Sequence, residues 1–207
     1  MKLNAEDGGN RKFIMVQLPE VCDEKSEAAK AGYHTICEIG EERIRRAGAK
    51  IREEIEAANA QLKPGEEPKK VPDLGFRVLR IDSSNFRDTR AEPGEQTQQM
   101  LLGLVDNLKE DRTPEDLLFQ VLPAFRIPYS AQVETFDAAG AACFNVNEGL
   151  LVACFDAQVS CKAIEQVARM KPVYAVFRDA SLADDATAAN FEELFRTFSP
   201  DTVRRVI

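Results

Sequence analysis

The stretch Arg11-Lys12-Phe13-Ile14-Met15-Val16-Gln17-Leu18-Pro19-Glu20 decides how the chain is read. Four consecutive apolar residues follow the turn-forming run Asp7-Gly8-Gly9-Asn10 and are halted by Pro19. A short, continuous apolar run bounded by turn residues is the pattern of a strand buried on both faces, as in a parallel sheet. The polar Gln17 stands at its carboxyl end, and in doubly wound sheets ligands bind outside the carboxyl ends of the strands.

Working outward from this strand, residues 31–60 are predicted to be helical. Ile36, Ile39, Ile44, Ala47 and Ile51 recur at helical spacing. Arginines 43, 45, 46 and 52 with Lys50 alternate with glutamates three or four residues away, which makes a charge-balanced solvated face. The run 63–72 carries three prolines and a glycine and reads as a loop. Phe76, Val78, Leu79 and Ile81 then form a second predicted strand ending in Asp82-Ser83-Ser84-Asn85. Strand, helix and strand together make a βαβ unit, whose crossover is expected to be right-handed.

The charged segment 87–94 is taken as a boundary, giving domains at 1–90 and 91–207. Beyond it, residues 96–108 are predicted to be helical. Thr113, Pro114, Glu115 and Asp116 supply a cap, an N-terminal proline and first-turn acids for another helix that stops before Pro123. The apolar runs 141–146 and 150–155 flank Asn147-Glu148-Gly149, a hairpin signal. Residues 131–136 are expected to add a strand. Helix 159–170, strand 173–177, helix 184–198 and strand 203–207 complete a compact α/β or α+β module.

A chain of 207 residues, 44% hydrophobic and 30% charged, is long enough to bury a sizeable core. No apolar run is long enough to span a membrane and the N-terminus lacks a signal-peptide pattern, so a cytoplasmic location is expected. The formal net charge of -8 argues against a protein whose own surface grips nucleic acid phosphates. Five cysteines without a CxxC pair do not make a disulfide framework or a zinc site. Cys143 and Cys154, inside apolar runs, read as small buried hydrophobes.

Self-contained catalytic chemistry is not visible. The single histidine, His34, lies three residues before Cys37. Two residues on one helical turn do not form a nucleophile–base–orienter system. Asp184 and Asp185 fit a helix N-terminus better than a metal site. Neither GxxxxGK[ST] nor GxGxxG occurs. No catalytic residue and no metal ligand is assigned.

Several strings carry a family resemblance: 4–20 (NAEDGGNRKFIMVQLPE), 31–40 (AGYHTICEIG) with 42–48 (ERIRRAG), and Asp73-Leu74-Gly75-Phe76 leading to Asp82-Ser83-Ser84-Asn85. Weaker support comes from Lys171-Pro172, Val176-Phe177-Arg178-Asp179 and Asp184-Asp185. Together they resemble the C-terminal part of the modification (Mod) subunit of type III restriction-modification systems, an adenine-specific DNA methyltransferase. The resemblance implies an α/β fold: a partial Rossmann-like methyltransferase βαβ unit at 1–90 and a small C-terminal α/β (α+β) module at 91–207. It implies that the parent enzyme uses S-adenosylmethionine. Neither that family's glycine motif nor its Asp-Pro-Pro-Tyr motif is present in these 207 residues, and the target-recognition region is expected upstream. The chain is therefore expected to be inactive alone and to bind no cofactor tightly.

By the same resemblance, Gln17 matches the strand end that holds the cofactor ribose hydroxyls, and Asp82 with Ser83 matches the strand end where the adenine packs. Glutamine retains the hydrogen-bonding capacity of the acid usually found there but not its charge. The implied partners are a second Mod subunit in a homodimer, a restriction helicase-nuclease subunit, and DNA held through other regions of the parent enzyme, with no membrane. A non-catalytic module for dimerisation or restriction-subunit docking is the alternative function.

Overall fold

The computed structural model describes residues 1–87, 108–182 and 185–207. The chain divides into two compact units, Met1–Ile81 and Asp82–Ile207. The helix expected at 96–108 and the acidic pair's Asp184 fall outside the described residues.

Unit 1 is helical and thinly packed. Helix α1 spans Lys2–Asp7, α2 spans Glu27–Lys30 and α3 spans Ile36–Asn59. Thr35 caps α3, its side chain accepting from the Glu38 amide, which is why the helix begins there rather than at residue 31. Inside the unit, Asn4, Gly48, Ile51 and Ile55 are the buried residues. The ion pairs of α3, such as Arg46 to Glu42 at 2.7 Å and Arg45 to Glu41 at 2.9 Å, lie on its solvated face as the sequence predicts.

The two strands expected in this unit do not form. Segments 11–20 and 75–81 run without regular secondary structure. Ile14 and Val16 are 93% and 91% exposed, and Ile81 is fully exposed. An extended segment becomes a strand only by hydrogen bonding to a neighbour, and an apolar run gains nothing from burial without a surface to cover it. Among the described residues, an isolated antiparallel bridge between Val21 and Thr35 adjoins the first segment. Among the described residues the two strands of the expected βαβ unit are not formed, so nothing there supports its Rossmann-like character. The α/β class holds through unit 2.

Unit 2 is built on a five-stranded mixed sheet in the order β1-β2-β3-β4-β5. The strands are β1 (Val133–Ala138), β2 (Ala141–Val146), β3 (Leu151–Cys154), β4 (Tyr174–Phe177) and β5 (Val203–Val206). The first three pair antiparallel, and β3, β4 and β5 pair parallel. Helix α4 (Pro114–Val121) precedes the sheet, α5 (Cys161–Arg169) connects β3 to β4, and α6 (Asp185–Phe198) connects β4 to β5. Strand β3 is buried along its whole length, because side chains alternate between two cores. Val152 and Cys154 join Ala163, Ile164, Val167, Phe177, Phe191 and Phe195 beneath α5 and α6. Leu151 and Ala153 join Leu117, Leu118, Leu122 and Phe144 beneath α4.

Two turns set the register. Residues 139 and 140 join β1 to β2 with φ of 49° and 92°, the two left-handed positions of a type I′ hairpin. Asp137 Oδ1 accepts from the Gly140 amide at 3.0 Å. Between β2 and β3, Asn147, Glu148 and Gly149 are all left-handed, and Asn145 Oδ1 accepts from the Gly149 amide at 2.7 Å. The hairpin expected from Asn147-Glu148-Gly149 is present. Strand β1 lies two residues beyond the expected 131–136.

Candidate functional site

The residues expected at the cofactor site fall in separate units. Gln17 belongs to unit 1, on an exposed segment. Its Nε2 donates to the Leu18 carbonyl at 3.3 Å, and its own carbonyl lies 3.7 Å from the Cys37 thiol. Among the described residues, the Gln17 side-chain amide makes this one local bond. His34 precedes α3 rather than lying within it, and its backbone amide donates to Glu38 Oε2 at 2.7 Å.

Asp82 and Ser83 belong to unit 2 and sit in a built polar cluster. The Arg112 guanidinium meets Asp82 Oδ2 at 2.9 Å and Asp111 at 3.4 Å, with the arginine side chain largely buried. The Ser83 amide donates to Asp82 Oδ1 at 2.6 Å. Ser83 Oγ accepts from Lys109 Nζ at 2.7 Å and from Arg112 at 3.4 Å. The Ser83 amide, and then the neighbouring Arg112 charge, hold the Asp82 carboxyl below the ordinary carboxylate range.

The cluster is positioned by α4. Segment 82–87 lies against the start of that helix, with Asn85 Nδ2 donating to the Asp116 carbonyl at 2.9 Å and the Asn85 amide donating to Gln120 Oε1 at 3.2 Å. Phe86 bridges Leu108. Thr113 and Asp116 form a capping box, each side chain bonding the other's backbone amide. Hydrogen bonds from the Thr113 amide and then its hydroxyl lower the Asp116 carboxyl.

A carboxylate and a hydroxyl held by two cations form a polar, hydrogen-bonded station. They do not form a nucleophile with a base. Among the described residues no group of three or more His, Cys, Asp or Glu is arranged to hold a metal ion. No described helix is long and apolar enough to cross a membrane. Lys109 and Arg112 were not legible as site residues. They carry no motif, and it is the fold that brings them to residues 82–83.

No family model matches the chain. Over 81 residues, 39% of its length, the chain is 48% identical to the type III restriction-modification enzyme StyLTI Mod subunit of Salmonella typhimurium. The match covers 11% of that subunit, so the chain spans a small part of the relative's length. Identity of that level across 81 residues supports the reading of this chain as a partial relative of a type III restriction-modification Mod subunit.

Proposed function

We propose that the chain is the C-terminal portion of a site-specific DNA adenine-N6 methyltransferase of the type III restriction-modification class, dependent on S-adenosylmethionine in the complete enzyme and inactive by itself. The observation that carries this reading is the 48% identity over 81 residues to a Mod subunit. In the complete enzyme, Gln17 hydrogen-bonds the cofactor ribose, and Asp82 with Ser83 receives the adenine end. The partners are a second Mod subunit, the restriction helicase-nuclease subunit and DNA contacted by other regions. The acidic balance of -8 supports protein contacts over a DNA-gripping role for this portion.

The thin packing of unit 1 supports a second reading within the first: the portion acts as a non-catalytic interaction module. Phe13, Ile14, Met15, Val16, Leu18, Val78, Leu79 and Ile81 are all exposed there. An apolar surface of this kind marks a place that other polypeptide covers.

The test is methyl transfer from labelled S-adenosylmethionine to duplex DNA. The 207-residue chain alone is expected to transfer nothing. A chimera in which it replaces the C-terminal part of the Salmonella subunit is expected to methylate adenine. A chimera with a normal circular dichroism spectrum and thermal melt that transfers no methyl group would sink the proposal, as would transfer by the chain alone.

A further inference from the structure

Cys143 of β2 and Cys154 of β3 are directly opposed across the antiparallel pair. Both are buried, at 1% and 0% exposure, and both point into the core beneath α5 and α6. The kind of pairing is fixed by the backbone. The Ala142 amide donates to Asp156 Oδ2 at 2.7 Å, toward the β3 side, while the Asn147 amide donates to Gln132 at 3.0 Å, toward the β1 side. Amides alternate direction along a strand, so the Cys143 amide points toward β1 and away from β3. Cys143 and Cys154 are therefore a non-hydrogen-bonded pair. In such pairs the Cα atoms approach to about 4.5 Å, inside the range of roughly 4.4–6.8 Å that a disulfide spans.

We propose that Cys143 and Cys154 form a redox-responsive pair that closes into a cross-strand disulfide and staples β2 to β3. The oxidant is a peroxide. The Cys154 thiolate attacks one peroxide oxygen, the O–O bond breaks, a sulfenic acid forms on Cys154, and the leaving hydroxide takes up the proton that Cys154 gave up and departs as water. The Cys143 sulfur then attacks the Cys154 sulfur, the S–O bond breaks, and a second water leaves with the Cys143 proton. Two thiols and one hydrogen peroxide thus become one disulfide and two waters.

Hydrogen bonding to Cys154, together with burial, pushes the Cys143 thiol up, and the same bond lowers Cys154. A cleft lined by Gly140, Ala141, Asp156, Gln158 and Ser160 opens beside the strand ends that carry the pair. Ala141 is two residues before Cys143 and Asp156 two after Cys154. The remaining cysteines, Cys22, Cys37 and Cys161, are partly exposed and serve as internal controls. The inference rests on the sheet register of unit 2 and is independent of the methyltransferase reading.

The experiment exposes the full folded chain to hydrogen peroxide, blocks free thiols with iodoacetamide, and maps peptides without reduction. A cross-linked peptide joining Cys143 to Cys154 is expected, lost on treatment with dithiothreitol and absent from Cys143→Ser. Oxidation is also expected to raise the thermal midpoint of wild type and not of the variant. If peroxide modifies Cys22, Cys37 or Cys161 while Cys143 and Cys154 remain alkylatable on unfolding, the proposal is overturned. The wild-type peptide map decides the matter even if Cys143→Ser fails to fold.

Discussion

At the scale of single residues, the cluster at Asp82 separates two sources of carboxylate stabilisation. Asp82 is lowered first by the Ser83 amide and then by Arg112, whereas Asp116 is lowered first by the Thr113 amide and hydroxyl. Both folded-state values are depressed, so the stability each contributes is complete above the ordinary carboxylate value of 3.8 and is lost as pH falls through the folded value. Acid is therefore expected to destabilise unit 2 below about pH 4, because an unfolded aspartate has a pKa near 3.9. Arg112→Ala should return Asp82 part of the way toward its ordinary range and leave Asp116 nearly unchanged. Carboxyl carbon chemical shifts followed by NMR across pH 2 to 6 (roughly two units either side of the reference aspartate value) measure both. Equal movement of the two aspartates would refute this division of causes.

Elements show how far sequence reasoning reaches. The start of helix α4 was legible to the residue, because a capping box with proline at the first position leaves the backbone little alternative, while its end at Val121 falls one residue short of the expected stop before Pro123. The β2–β3 hairpin, α5, α6 and the parallel strands were legible because apolar runs and helical stripes alternated at lengths that fit a packed sheet. The β1–β2 turn was not. Its central residues, Ala139 and Gly140, lack the Asn-Gly or Asp-Gly pair that marks a type I′ turn, and the sheet holds Ala139 left-handed against its preference. Segment 11–20 misled for a different reason. Its composition is that of a buried strand, but burial and pairing are properties of a neighbour, and among the described residues no strand pairs with it and Ile14 and Val16 stay exposed. At the candidate cluster, the resemblance singles out Asp82 and Ser83 without their partners, because Lys109 and Arg112 reach them through a long-range fold contact. The elements also differ in energetic weight. Phe177 is fully buried and meets Phe191 edge-on at 5.2 Å and Phe195 at 6.3 Å. Phe177→Ala should cost about 3–5 kcal/mol, and Thr113→Ala, which removes a cap, about 1 kcal/mol. Urea denaturation of unit 2 measures both, and a cap loss as large as the core loss would contradict the packing described.

Across the whole molecule, the two units carry very different amounts of core. Unit 2 encloses a sheet with a packed cluster on each face. Unit 1 buries four residues in 81 and exposes apolar side chains from Phe13 to Leu18 and from Val78 to Ile81. Conformational entropy opposes ordering by about 1–2 kcal/mol per residue, and each fully buried aliphatic side chain returns about 1.5–3 kcal/mol. Four buried positions fall well short of holding 81 residues in place, so unit 1 should open locally at little free-energy cost while unit 2 unfolds as a cooperative block. Native-state hydrogen exchange tests this directly. Amides of residues 12–17 and 76–81 should exchange at rates close to those of an unfolded chain, α3 should show intermediate protection, and β2, β3 and β4 should exchange only through global unfolding. If the proposed chimera with the Mod subunit covers segment 12–17, exchange there is expected to slow toward that of β3. Strong protection of residues 12–17 in the isolated chain would mean that these residues already have a pairing partner, and the account of unit 1 as an incompletely covered half would fail.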